Sequence, residues 1–370
     1  MKKELGIGIT LLLVFLVLYF IPLNSAFVGG AILAGLALLN EYAREHILTC
    51  LVPAFFIAGA ISVFISKDSV LKYLGNKTKK IISYSLASIS GSVLAVCSCT
   101  ILPLFAGIRK RGAGLGPAIT FLFSGPAINI AAVFLTISVL GLKIGLARII
   151  AAVILAILVG LSMQFIFKEK IDEGGFFVNE DKGNNYKKSL VLFFMLSMVG
   201  VLVVNGLAIS PILKYSLIAF LSILTFALAG FGFKKETNKE WLLETWKFTK
   251  LLLPILFIGV FVAGFIMPFI PEELIVKLVG SNSLIANLVS SVFGAFMYFS
   301  TLTEVPILQA LIAKGMNQGP ALALLLAGPS LSLPNLLVIR KILGNKKTLV
   351  YALLVIIYSS LAGIIFGSII

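Results

Sequence analysis

The chain has 370 residues, 59% of them apolar and 12% charged, with a mean hydropathy of +1.10; a soluble domain of this size could not cover its surface with so little charge, so a soluble enzyme is excluded. A net charge of +15 suits nucleic acid at first sight, but the Lys and Arg residues flank apolar runs, where anchoring against anionic lipid accounts for them and leaves no nucleic-acid partner. Three cysteines imply no disulfide framework, and the short alternating segments of a transmembrane barrel are absent.

In chain order, apolar runs between charged clusters predict helical segments over 5–21, 25–39, 46–66, 81–107, 115–139 and 142–167, then 188–207, 211–231, 250–270, 283–308, 317–340 and 348–370. The first run follows Lys2-Lys3 as a signal peptide would, yet its apolar core is long and no A-x-A site follows, so it is read as a membrane segment. Between the two sets, 168–187 is rich in Lys, Glu, Asp, Asn and Gly, the composition of a solvated cytoplasmic linker. It separates a first transmembrane repeat, 1–167, from a second, 188–370.

The halves share punctuation. A shift of 203 superposes Gly91 on Gly294, Thr100 on Thr303, Pro103 on Pro306, Gly112 on Gly315, Gly116-Pro117 on Gly319-Pro320 and Gly125-Pro126 on Gly328-Pro329. A shift of 205 puts Gly59 on Gly264 and Gly75 on Gly280. Gly and Pro fix unusual backbone geometry, so shared punctuation implies a shared backbone. Loop charge gives the orientation, because cytoplasmic loops keep Lys and Arg. Loops 67–80 and 109–114 are Lys/Arg-rich while their counterparts 271–284 and 309–319 are poor; loops 40–46 and 140–147 are poor while 232–249 and 340–347 are rich. The opposite bias predicts halves that sit upside down relative to each other. Two cytoplasmic loops flanking 81–107 make that segment a re-entrant hairpin, and 283–308 its mate from the other side. The expected fold is an all-α polytopic membrane protein of two inverted repeats, each of about five transmembrane helices plus a re-entrant hairpin.

The hairpin tips carry the chemistry. The first turns near Cys97, Ser98, Cys99 and Thr100, and the second presents Ser300, Thr301, Thr303 and Glu304. Beside them lie Ser-Gly-Pro-Ala-Ile-Asn (Ser124, Gly125, Pro126 to Asn129) and a second run containing Gly328, Pro329, Ser330 and Asn335. A Gly-Pro pair interrupts the helix ladder and frees backbone groups, tolerated at membrane depth where protein or a wet cavity satisfies them. A kink for packing is the alternative; paired breaks in register favour a substrate site. Cys97 and Cys99 diverge on a regular helix but face one cavity on an extended tip, where they are soft ligands for Cu(I), Zn(II) or a trivalent arsenical. They could equally be small residues in a tight turn. Glu304 stands in an apolar run, where a charge costs roughly 2.5–3.5 kcal/mol, and is the candidate for coupling protonation to transport. His46 is read as a headgroup-level residue.

The run from Cys97 to Asn129, C-S-C-T-I-L-P-L-F-A-G-I-R-K-R-G-A-G-L-G-P-A-I-T-F-L-F-S-G-P-A-I-N, resembles the signature of the bacterial predicted-permease family that includes ArsP-type organoarsenical efflux permeases. The likeness continues through Glu304-Val305-Pro306 and Ala327-Gly328-Pro329-Ser330. It implies a multi-pass protein of the bacterial inner membrane that exports a small, thiophilic solute, an organoarsenical or a soft metal, without a cofactor. The family's cysteine pair falls on Cys97 and Cys99. Expected partners are the lipid bilayer and the metal(loid) or small-molecule solute; a homo-oligomer is compatible with them. No Gly-x4-Gly-Lys-Ser/Thr sequence occurs, so ATP is not hydrolysed by that route. Two other readings stand beside the permease: a thiol–disulfide electron carrier cycling Cys97 and Cys99, weakened by the strain of an i, i+2 bridge, and a membrane scaffold without transport.

Overall fold

The structure, a computed structural model, describes residues 26–65, 67–75, 78–93, 98–168, 186, 188–206, 210–269, 278–297 and 304–370. The predicted segment 5–21 and nearly all of the linker 168–187 lie outside them. All regular structure among the described residues is helical: α1 (Ala26–Tyr42), a π-helical stretch Ala43–Leu51, α2 (Val52–Phe64), α3 (Lys67–Leu74), α4 (Lys80–Val93), α5 (Ser98–Lys110), α6 (Leu115–Ala127), α7 (Ile130–Leu140) and α8 (Leu142–Ile166). The second half continues with α9 (Lys188–Gly206), α10 (Pro211–Gly232), α11 (Lys235–Ile266), a 3-10 turn Met267–Phe269, α12 (Leu284–Phe296), α13 (Glu304–Ala313), α14 (Gln318–Leu331), α15 (Leu333–Leu343) and α16 (Asn345–Ile369).

By length and hydropathy, four described helices can cross a membrane, or six if the bent pairs α6–α7 and α14–α15 each count as one span. Their outward faces explain where they sit. Leu142, Leu146, Ile150, Ile154 and Leu158 of α8 are exposed, as are Leu349, Leu353, Ile357, Leu361 and Ile365 of α16. Each set recurs every fourth residue, one stripe of a helix. Stripes this apolar are stable against hydrocarbon and not against water. The protein is a multi-pass membrane protein.

Helix boundaries match between the halves. The shift of 203 carries α6, α7 and α8 onto α14, α15 and α16 within about one residue, and the 205 shift carries the stretch from α1 to α2 onto α11. Gly112 (φ 92°) and Gly141 (φ 97°) recur as Gly315 (φ 108°) and Gly344 (φ 84°), left-handed positions that a β-carbon would strain. Backbone hydrogen bonds link the chain just before α4 to the chain just after α5, and likewise around α12 and α13: Gly114 N–H donates to Leu74 C=O (2.8 Å) and Asn317 N–H to Val279 C=O (3.0 Å). The chain therefore enters α4 and leaves α5 at one end, and likewise enters α12 and leaves α13. Helix crossings repeat too: a β-carbon on Gly160 of α8 would lie 2.7 Å from Gly116 C=O of α6, and one on Gly363 of α16 would lie 2.6 Å from Gly319 C=O of α14.

Equivalent helices meet antiparallel. Ser162 and Tyr358 share a hydroxyl–hydroxyl bond of 2.8 Å, and Lys347 Nζ lies 6.0 Å from the Phe167 ring, so α8 and α16 run in opposite senses. Gly35 abuts Phe261 while Gly59 abuts Thr245, which sets α1–α2 against α11 in the same way.

Several expectations need correction. The loop 40–46 does not exist: helix continues from α1 through the π-helical stretch into α2, with Tyr42 and Val52 both right-handed helical. Charge ends an apolar run without ending a hydrogen-bond ladder, and no Gly or Pro lies between 40 and 46. For the same reason 232–249 is mostly the first turns of α11, and Lys239 and Lys247 stand on a helix. The helices also run through Pro126 and Pro329 and break later, at Ile128–Asn129 and at Ser332. The bends there are 46° and 47°. A proline's missing N–H and its clash with the carbonyl four residues back weaken the ladder without ending it at the proline itself.

Candidate functional site

Where the first helix pair bends, the last carbonyls of α6 lose their intrahelical partners. Arg148, on α8, fills the gap: Nε donates to Ala127 C=O (3.2 Å) and Nη1 to Thr136 Oγ1 (2.9 Å) of α7. Its Nη2 reaches Glu304 Oε1 at 2.5 Å, at the start of α13 in the other half. Both side chains are 0% exposed. Glu304 Oε2 has no hydrogen-bond partner among the described residues. A buried pair of this kind stays only if it is well compensated, because removing two charges from water costs several kcal/mol for each ion.

The second bend is built differently. Tyr351, matching Arg148 at the 203 shift, donates its hydroxyl to Ser330 C=O (3.1 Å), which matches Ala127. Asn335 Nδ2 donates to Pro329 C=O at 3.4 Å. Ser330 Oγ, Ser332 Oγ and Asn335 Oδ1 are buried with no partner.

Cross-contacts draw the bends together. α13 packs on α7, α5 on α15, and α6 on α14. Among the predicted site residues, Ser124 Oγ donates within its own turn to Phe121 C=O (3.2 Å) and to Ala87 C=O of α4 (3.4 Å). Gly125 admits Ile101, whose Cδ1 would lie 2.7 Å from an added β-carbon, and Gly294 lets Gly328 approach closely. Ser98, Thr100, Ser124, Asn129, Glu304, Ser330 and Asn335 are all buried. Cys97, Thr301 and Thr303 lie outside the described residues. Cys99 falls in the first turn of α5, its side chain outside the description. The extended tip expected at Cys97–Thr100 is thus helical from Ser98 onward. Pro103 sits inside α5, and the helix starts early enough to absorb it.

Sequence reasoning passed over Arg148, Thr136, Ser332 and Tyr351. Arg148 carried a usable signal, since an ionisable residue within an apolar run is the feature that singled out Glu304. At the Lys-rich end, Lys110 and Glu244 form a second ion pair, both nearly buried, and Lys247 adds a bond to Glu244 at 2.9 Å. Arg111 donates to Ile61 C=O (3.3 Å) and to Ser62 C=O. Two charges of the Lys/Arg-rich loop 109–114 are thus engaged within the protein: Lys110 and Arg111 tie the end of α5 to α11 and α2. Among the described residues no group of three or more His, Cys, Asp or Glu could hold a metal.

Residues 32–368 match the family described as predicted permease. The chain is 46% identical over 343 residues to the UPF0718 protein MJ0584 of Methanocaldococcus jannaschii, covering 88% of this chain and 93% of that one. It is 22% identical to the UPF0718 protein YraQ of Escherichia coli (81% and 72% covered). It is 24% identical to a Streptococcus mutans protein named as a two-component membrane permease complex subunit (83% and 88% covered). No solved structure matches. None of these names supports the thiol–disulfide carrier.

Proposed function

This chain belongs to the predicted permease family, and from that premise we propose that it is a secondary permease exporting a small thiophilic solute, a trivalent organoarsenical or a soft metal ion, across the cytoplasmic membrane. One observation carries the reading most: a fully buried ion pair, Arg148–Glu304, joins the two halves at the first helix break. Antiparallel packing of equivalent helices and hairpins closed at their bases support two inverted repeats with re-entrant hairpins. In this reading each hairpin tip and each bend faces a shared chamber, and Cys97 with Cys99 supplies its soft ligands from the first half alone. Glu304 is the proton-coupling group, with Oε2 as the open position for the proton; protonation removes the charge that holds Arg148.

Helix packing also fits alternation. α2 packs on α5 and α11 on α15, whereas the counterpart pairs α11 with α13 and α2 with α7 make no comparable contact among the described residues. The Lys110–Glu244 pair then latches the Lys-rich end closed while the other end is open, and exchanging the two sets of contacts gives the opposite state. The relative named as a complex subunit makes assembly with a second chain part of the same proposal.

Uptake into everted vesicles of methylarsenite, arsenite, Cu(I) and Zn(II) tests it, with native protein beside Cys97→Ser, Cys99→Ser and Glu304→Gln. We expect one solute class to accumulate, the serine variants to lose it, and Glu304→Gln to lose its dependence on a pH gradient. Unchanged uptake in both serine variants removes thiol ligation; accumulation of none of the four removes the thiophilic substrate.

A further inference from the structure

The two bends differ in charge. At the first, the guanidinium of Arg148 sits on the Ala127 carbonyl. At the second, the matching residue is Tyr351, which satisfies the matching carbonyl of Ser330 and brings no charge. At the same break Ser330, Ser332 and Asn335 are 3%, 2% and 2% exposed, and Ser330 Oγ, Ser332 Oγ and Asn335 Oδ1 have no hydrogen-bond partner among the described residues. Buried polar atoms without partners are rare enough in native proteins that each calls for a bound water or an ion.

The chemistry of that occupant follows from the atoms. Asn335 Nδ2 donates to Pro329 C=O, and a carbonyl only accepts, so Oδ1 is fixed as an acceptor facing no donor. The break also ends α14, whose terminal carbonyls carry the negative end of the helix dipole. Helix α15 starts there too, but Pro334 lacks an N–H and Leu336 N–H is already bound to Ser332 C=O, so two of its first four backbone positions offer no donor to an anion. Hydroxyl, amide and carbonyl oxygens without a carboxylate suit neither Ca²⁺ nor Mg²⁺, and without nitrogen or sulfur they do not suit a transition metal.

We propose that the second bend, at Ser330, Ser332 and Asn335, binds a monovalent alkali cation that supplies there the positive charge Arg148 supplies to the first. Use of that cation in coupling rests on the permease reading; its binding does not.

The full chain in lipid nanodiscs is melted in NaCl, KCl, LiCl and choline chloride at one ionic strength and one chloride concentration, and equilibrium binding of radiolabelled Na⁺ is measured beside it. The expected result is a saturable rise in Tm with one alkali cation over choline, competed bound label, and loss of both in Ser332→Ala/Asn335→Ala. Glu304→Gln should keep both. Should the double variant not fold, Asn335→Asp replaces it: a carboxylate in the set should tighten the cation about tenfold and admit Ca²⁺, since affinity follows ligand charge. No alkali cation exceeding choline, or a response untouched in these variants, overturns the site while leaving vesicle transport to be judged separately.

Discussion

Arg148 and Glu304 are separated by 156 positions and are both fully buried, so each depends on the other for charge compensation. Removing one partner leaves a lone charge in a low-dielectric interior and costs about 3–5 kcal/mol, whereas replacing both by apolar residues of similar size is often neutral. Arg148→Met and Glu304→Leu are therefore expected each to lower the melting temperature in detergent sharply, and Arg148→Met/Glu304→Leu to recover most of the loss. Thermal unfolding of the four proteins decides it; a double variant no better than the singles would show that the pair is not a closed unit. Dependence of transport on a pH gradient should stay absent in the double variant, because stability returns without the charge that proton coupling uses.

At the scale of elements, glycine sets how closely helices cross. Gly160 and Gly363 bring α8 onto α6 and α16 onto α14, with neighbouring backbone oxygens at 2.7 and 2.6 Å from an added β-carbon. Backbone cannot step aside as a side chain does, so alanine at either position is expected to cost about 1–3 kcal/mol through overpacking. Gly230 of α10 has nothing within 4 Å of the same position, and alanine there should stabilise by about 0.4–1 kcal/mol through the unfolded state. Melting temperatures of the three variants give the test. Equal losses at Gly160 and Gly363 are the signature of one crossing used twice; a loss at one alone would mean that the halves are packed differently.

For the whole molecule, the prediction concerns sidedness. Lys79 and Lys314 are exposed and stand just before α4 and just after α13, positions that the proposed inverted arrangement puts on opposite faces of the membrane. With Cys50, Cys97 and Cys99 all replaced by serine, Lys79→Cys should react with a membrane-impermeant maleimide from the cytoplasmic side, and Lys314→Cys from the other. Reaction of both from one side would leave the repeat intact but make it parallel.

Much was legible before any coordinates. Composition alone placed the chain in a membrane, because hydropathy sums over residues wherever they sit. The Gly and Pro register predicted a repeat, and Gly112 and Gly315 do share a left-handed backbone. Glu304 stood out as the one charged residue in the predicted segment 283–308. Other features were decided only by folding. The bends came after Pro126 and Pro329 instead of at them, since a missing N–H weakens a ladder whose failure point depends on what packs around it. Arg148 looked like one more residue of a span until α13 brought Glu304 against it. Period and composition describe how a segment meets its solvent; which buried charge meets which, and which buried oxygens are left without a donor, is set by contacts between segments far apart in the chain.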